Sequence, residues 1–144
     1  MLPEDFARIE ESLGLKLPEW YVRRLAEYPL PQLDDALYDS ADWAIRENEQ
    51  LRTEGYMGSP WPREFFVIGQ SGSGDPFFIR PGTTDPRVFW ADHEGGPAPD
   101  QANLAEMEFA DNLEAYIGQT IETLAEVEQA MERRKNKKWW QFWL

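Results

Sequence analysis

Apolar residues in the first third of the chain recur at spacings of three and four, which predicts three helices. The first covers residues 4–13 and is closed by Gly14. Pro18 suits the first turn of a second helix, which Pro29 stops, and a third lies around 40–53. The predicted inward-facing residues are Phe6, Ile9, Leu13, Trp20, Tyr21, Leu25, Tyr28, Ala41, Ala44, Ile45 and Leu51.

After residue 60 the pattern changes to short apolar runs that are rich in β-prone residues and closed by turn residues. The runs at 65–68, 76–79 and 88–90 predict three consecutive strands, and 103–109 adds one more short strand. Because tight turns join these runs, they predict an antiparallel meander.

From about Asp111 a helical stripe returns and continues to Met131, and Asp111 is the predicted cap. The stripe consists of Leu113, Ile117, Ile121, Leu124, Val127 and Met131. The predicted fold class is α+β, with a central antiparallel sheet of about four to six strands flanked by N-terminal helices and a long C-terminal helix. We predict a single domain over residues 1–136 and a basic, aromatic tail over 137–144.

Composition narrows the chemistry that the chain can carry out. The 144 residues include no cysteine, which excludes disulfides, thiolate metal sites and thiol nucleophiles. No secretory signal and no membrane-spanning run are visible in the sequence. These features favour a cytoplasmic location, either free or peripheral at the inner membrane.

The charge is strongly asymmetric along the chain. Residues 1–132 hold all 27 acidic side chains and 9 of the 14 basic ones, a net charge of −18, whereas the last twelve residues carry +5. An acidic body repels nucleic acid and attracts basic partners. The charge also serves solubility, and composition alone does not separate these two roles.

The glycine-rich stretch "VIGQSGSGDPFFI" at 67–79 raises the possibility of a phosphate site. A phosphate-binding loop needs a lysine followed by serine or threonine at a helix start, and here a strand follows instead. We therefore interpret the stretch as a hairpin in which the glycines adopt positive φ. Asp75 is predicted to lie exposed at this turn.

His93, the single histidine, stands between Asp92 and Glu94. Together with Asp75 and Asp92 it could act as the base of a small hydrolase. A surface histidine in a loop is the simpler interpretation. No metal site and no cofactor are predicted, because a zinc site would need three carboxylates beside this one histidine.

Acidic residues between 34 and 49 fall at spacings that place several on one helical face, either as a solvated face or as a docking surface for a basic protein. Trp61 and Trp90 are interpreted as core anchors or as interface residues. The predicted partner-binding residues are Asp34, Asp35, Asp39, Asp42, Glu49, Trp61, Asp75, Asp92 and Glu94.

The C-terminal segment combines cations with aromatic residues, which is typical of contact with an anionic membrane interface. Folding back onto the sheet and self-association are the alternatives. The predicted tail residues are Lys137, Lys138, Trp139, Trp140 and Trp143.

The order of these motifs resembles the SUKH superfamily, which contains a fungal cell-wall synthesis regulator and many bacterial toxin-immunity proteins. The matching stretches are "IEESLGLKLPEWYVRRL" (9–25), "RENEQLRTEG" (46–55), "WPREFFVIGQSGSGDPFFI" (61–79), "VFWADHEGG" (88–96) and "FADNLEAYI" (109–117). The tail lies outside the resemblance.

The resemblance implies an α+β fold, no catalytic machinery and a protein-binding role. For bacterial members it implies neutralisation of a cognate toxin, often a nuclease, whose basic groove an acidic protein could occupy. The predicted partner is therefore a toxin with a basic surface. The chain itself is expected not to be an enzyme. The alternative is a regulatory scaffold at the cell envelope that is docked by the tryptophan-rich tail.

Overall fold

The structure, a computed structural model, describes the backbone of residues 1–96 and 98–141 and the side chains as far as Lys135. Three helices precede the sheet: α1 (Pro3–Leu13), α2 (Glu19–Ala26) and α3 (Ala41–Glu54). Gly14 ends α1 by adopting a φ of 64°, and the Ser40 side chain caps α3 by accepting a hydrogen bond from the backbone N–H of Trp43 at 3.2 Å. The three predicted helices are confirmed.

Four strands form one antiparallel sheet in which neighbours in the chain are neighbours in space. They are β1 (Phe66–Gln70), β2 (Pro76–Ile79), β3 (Val88–Trp90) and β4 (Glu108–Ala110). The predicted meander and the α+β class are confirmed. Since β1 and β4 are the outer strands, each leaves an edge that must be covered or solvated.

Both faces of the sheet are covered by aromatic residues. Tyr21 of α2 packs on Phe66 with ring centroids 5.4 Å apart, and Phe77, which lies on the same face, packs on an aromatic ring of the C-terminal helix. On the other face Trp61 packs against Phe78 at 5.3 Å. This double coverage explains why β1 and β2 are continuous apolar runs instead of alternating ones.

The outer edge of β1 is covered by residues 33–38 and by α3. The backbone N–H of Tyr38 donates to the carbonyl of Ile68 at 2.8 Å. The buried Asn48 side chain bonds both backbone groups of Val67, accepting from its N–H at 2.8 Å and donating to its carbonyl at 2.9 Å. A side chain of α3 therefore replaces a neighbouring strand at this position.

The three glycines of the β1–β2 hairpin have different roles. Gly74 adopts a φ of 85°, as predicted for a turn glycine, but Gly69 and Gly72 do not have positive φ. Gly69 lies inside β1, where a Cβ would stand 1.9 Å from the carbonyl oxygen of Ala36. The prediction that the glycines supply positive φ is therefore confirmed for Gly74 only, and Gly69 serves close backbone approach.

The C-terminal helix α4 (Leu113–Gln141) begins one residue later than its predicted cap would place it. Asn112, and not Asp111, caps the helix, because its side-chain oxygen accepts a hydrogen bond from the N–H of Ala115 at 2.8 Å. The predicted cap at Asp111 is wrong by one position. Among the described residues, no helix is both long and apolar enough to cross a membrane.

The apolar stripe of α4 is buried only in its first two turns. Leu113 and Ile117 belong to the core and Leu124 is half-buried against it, whereas Ile121, Val127 and Met131 are 49%, 52% and 63% exposed. The sequence predicted the helix from the continuous spacing of this stripe. The second half of the stripe continues beyond the body of the domain.

Candidate partner-binding surface

Exposed carboxylates on α3 and on the turn before it form what we call the acidic surface: Asp39, Asp42, Glu49 and Glu54. Asp42 and Glu49 are two helical turns apart and, together with Glu54, line one shallow cavity of about 380 Å³. Of the acidic residues predicted to share one helical face, the structure places Asp42 and Glu49 on the same face of α3.

Nearby cations neutralise only part of this surface. Arg8 of α1 pairs with Asp42, and Arg46 lies 3.5 Å from Glu47. Among the described side chains, no lysine or arginine forms an ion pair with Asp39 or Glu49. Burial raises the pKa of the nearby Tyr38 hydroxyl, and the negative charges of Glu47 and Asp35 raise it further.

Asp34 and Asp35 lie apart from the face of α3, at the rim of a second cavity that we call the apolar groove. The groove has a volume of about 360 Å³, and Phe77, Phe109 and Leu124 are among its lining residues. Asp34 is held there with a φ of 51°, a left-handed conformation that aspartate adopts more readily than most residues. The groove thus combines an apolar interior with a negative rim.

Asp75 is buried, and the prediction that it lies exposed at the hairpin turn is wrong. Only 3% of the residue is accessible, because it follows the turn and points inward. The Tyr56 hydroxyl lies 2.9 Å from Oδ1 of Asp75 and 2.6 Å from the carbonyl oxygen of Ala91, so its single proton is shared between two acceptors. Asp75 thereby links the β1–β2 turn to the segment after α3.

His93 joins this cluster from a short 3-10 turn at 93–95. Its Nδ1 lies 2.7 Å from Oδ2 of Asp75 and 3.6 Å from Oδ1 of Asp92. The hydrogen bond to Asp75 and the charge of that carboxylate raise the pKa of His93 above its usual range. The structure therefore brings together the three residues of the hydrolase alternative, Asp75, Asp92 and His93.

The same three side chains are the one grouping of metal-ligand type within the described residues, with their ligand atoms within 4.8 Å of one another. The sequence analysis grouped these three residues only as a hydrolase alternative and predicted no metal site. Neither the cavity on α3 nor the apolar groove is lined by any of the three. Their arrangement is accounted for by a His93–Asp75 ion pair that holds the 93–95 turn against the hairpin.

The His93–Asp75 pair makes stability depend on pH. Because folding raises the pKa of His93, its contribution is fully present below the unfolded pKa of about 6.5 and is lost as the pH rises through the folded value. We expect the difference in unfolding free energy between the wild type and His93→Gln to shrink as the pH rises from about 6.5 through the raised pKa of His93. Urea denaturation in the presence of EDTA would measure it, and a difference that stays constant with pH would contradict the pair.

The remaining predicted binding residues are divided between core and surface. Trp61 is buried, donates its indole N–H to the carbonyl of Phe65 at 3.2 Å and is a core anchor in the structure. Trp90 is half-buried and packs on Phe77. Glu94 is exposed, and its backbone N–H donates to the half-buried Asp92 at 3.0 Å.

The tail residues lie outside the described part of the structure. The side chains of Lys137, Lys138, Trp139 and Trp140 are not described, and neither is any atom of Trp143. The membrane and self-association hypotheses for the tail therefore stay predictions. The same holds for the scaffold alternative, which depends on that segment.

Asn48 and Arg52 were noted in the sequence only as part of the "RENEQLRTEG" motif. Arg52 donates from its guanidinium to the carbonyls of Leu13 at 2.7 Å and Arg63 at 3.1 Å. Asn48 and Arg52 therefore fix α3 to β1, to α1 and to the loop before the sheet. They thereby hold the acidic surface in position.

Tyr56 was not singled out by sequence reasoning, although it holds the carboxylate of Asp75. Burial and the hydrogen bond to Asp75 raise the pKa of its hydroxyl, so it acts as a donor throughout the neutral range. No local motif identifies it, because its partners are 19 and 35 residues away.

The model of the SMI1 / KNR4 family (SUKH-1) matches residues 2–119. The matched region includes all four strands, the acidic surface and the Asp75 cluster, and it ends within α4. No curated protein and no solved structure gives a significant match to the chain.

Proposed function

Because the chain belongs to the SMI1 / KNR4 family (SUKH-1), we propose that it is an immunity protein that binds and neutralises a cognate toxin. The acidic surface is the proposed binding site. A nuclease is the toxin class that fits best, since its substrate groove is basic and the carboxylates of α3 could take the place of phosphates there. Inhibition then requires only that the groove is occupied, without any catalysis by the immunity protein.

One observation carries this proposal: Asp39 and Glu49 are exposed, and among the described side chains neither has a basic partner within ion-pair distance. An ion pair with a partner would therefore not first have to break one within the chain. The residues belong to a body with a net charge of −18 over residues 1–132. A field of that sign accelerates the approach of a basic protein and repels nucleic acid.

The acidic surface is also held rigidly, which lowers the cost of ordering it on binding. Arg52 ties the C-terminal half of α3 to α1, and Asn48 ties its middle to β1. Arg8 fixes the first turn through Asp42. A binding surface that is ordered beforehand retains more of its interaction free energy as affinity.

Reversing one charge of the acidic surface is expected to slow association with the toxin. We predict that Glu49→Lys lowers the association rate constant by about 10-fold or more at low salt and reduces its salt dependence. Glu106→Lys changes the net charge equally at an exposed site away from α3 and is expected to change the rate by less than about threefold. The cognate toxin is expected to be the product of the neighbouring gene. Stopped-flow mixing with that protein would measure the association rate constants of both variants.

The proposal itself is tested by co-expression with that neighbouring gene product. Rescue of growth together with co-purification of the two proteins is the expected result. If growth is not rescued and the two proteins do not co-purify, the proposed immunity function is overturned. Rescue and binding that are equally insensitive to Glu49→Lys and Glu106→Lys would retain the function but place the toxin on another surface.

A further inference from the structure

The second half of α4 leaves the body of the domain. Every described side chain from Ala125 to Lys135 is exposed, and among the described side chains of α4, Leu124 is the last that packs against the core. At about 1.5 Å per residue, the eleven residues from 125 to 135 project roughly 16 Å beyond that contact. We call this part the free segment of α4.

The free segment extends a helix that is already formed, but among the described side chains no tertiary contact supports it. Most helical stability in proteins comes from the packing of an apolar face. The free segment has such a face, because Val127 and Met131 continue the stripe on which Leu113, Ile117 and Leu124 pack against the core. The helix therefore presents an apolar surface that a partner would cover.

Charge indicates which partner would cover it. The free segment ends in three exposed cations, Arg133, Arg134 and Lys135, whereas the body at the other end of the helix carries a large negative charge. Two copies packed in parallel would place their acidic bodies side by side. Two copies packed antiparallel keep the bodies apart and bring the basic end of each helix to the acidic body of the other.

The apolar groove lies where the antiparallel arrangement needs it. Thr120, Thr123 and Leu124 of α4 form one wall of the groove, and Asp34 and Asp35 stand at its rim. With the two helices crossing near Val127, Met131 of one copy lies opposite Thr123 and Leu124 of the other. Arg134 lies one turn further along, opposite Thr120 and beside the two aspartates.

We propose that two copies of this chain associate through antiparallel packing of α4. The free segment of each copy covers the apolar groove of the other, and Arg134 of each faces Asp34 and Asp35 of its partner copy. The acidic surface on α3 stays open in this dimer, so the proposal is independent of toxin binding.

Sedimentation equilibrium of the full chain over a range of concentrations tests the proposal. The wild type is expected to be a dimer, and Val127→Glu is expected to weaken the association at least about 10-fold, because it places an unpaired charge in the apolar contact. Gln129→Glu adds the same charge on the opposite face of α4 and is expected to leave the dimer intact. Met131→Glu provides a second disrupting variant.

A charge swap distinguishes the proposed contact from nonspecific association. Arg134→Glu is expected to weaken the dimer, and adding Asp35→Arg to that variant is expected to restore it at least in part. A wild type that is monomeric at all concentrations would overturn the proposal. A dimer that persists in Val127→Glu would also overturn it. So would loss of the dimer when residues 136–144 are deleted, or a monomeric wild type that binds vesicles of anionic lipid through the Val127 face.

Discussion

Replacing Asn48 with alanine is expected to lower the free energy of unfolding by about 3 to 5 kcal/mol. The side chain is fully buried and bonds the N–H and the carbonyl of Val67 and the carbonyl of Ala44. Its loss leaves the two backbone groups of Val67 buried at the edge of β1 without a partner. Each such group costs about 1 to 3 kcal/mol, and the small cavity adds to that.

Gln50→Ala is the matched control, because Gln50 lies two positions along the same helix and its side chain is exposed. We expect it to change stability by no more than about 0.5 kcal/mol. Urea denaturation monitored by tryptophan fluorescence would measure both variants. A cost for Asn48→Ala below about 1 kcal/mol would show that Val67 does not depend on this side chain.

Replacing Gly69 with alanine is expected to cost at least about 3 kcal/mol, for a steric reason. The new Cβ would stand 1.9 Å from the carbonyl oxygen of Ala36. That carbonyl cannot move away freely, because it also accepts a hydrogen bond from the buried hydroxyl of Tyr116. Residues 33–38 would therefore separate from β1, carrying Asp34 and Asp35 with them.

Gly72→Ala provides the control within the same hairpin. Gly72 has no positive φ and nothing within 4 Å of its Cβ position, so the change is expected to be neutral within about 0.5 kcal/mol. Hydrogen exchange adds a local measurement, since Gly69→Ala should expose the N–H of Tyr38, which bonds the carbonyl of Ile68. If the two substitutions lowered the free energy of unfolding equally, the close approach of Gly69 to Ala36 would not contribute to stability.

These two residues also connect stability to the proposed function. Asn48 holds α3, which carries the acidic surface, and Gly69 holds the segment that carries Asp34 and Asp35. A variant that loosens the Asn48 contact is expected to lose toxin affinity together with stability, whereas one that loosens the Gly69 contact is expected to weaken the proposed dimer. Glu49→Lys, by contrast, is expected to lose affinity with little loss of stability, because among the described residues no hydrogen bond or ion pair of the Glu49 side chain is found and only a longer-range attraction to Arg52 is lost.

The sequence predicted well wherever the signal is local. Spacings of three and four identified the helices, and apolar runs bounded by turn residues identified the strands, because burial on one face imposes those periods on the chain. The ordered motifs identified the family. Exposed acidic residues on α3 were also predictable, since charges two turns apart share a face.

Apart from the cap at Asp111 and the positive φ at Gly72, the predictions that failed depend on distant partners. Asp75 was expected at the surface because it follows a glycine-rich turn, yet Tyr56 and His93, 19 and 18 residues away, hold it inside. Ile121, Val127 and Met131 share a continuous stripe with core residues, yet the structure leaves them exposed. Periodicity shows that a helix has an apolar face, but it does not show where the body of the domain ends.

The amino-acid sequence by itself determined the elements, the fold class, the family and the sign of the charge that a partner meets. Only the tertiary structure decided that Gly69 serves a backbone contact, that Asn48 completes a sheet edge and that half of the α4 stripe is free. The physical reason is the separation along the chain of the residues that interact. Helix and strand periods are set by neighbours within a few residues, whereas close approach, burial of a carboxylate and exposure of an apolar face are set by residues far away in the chain.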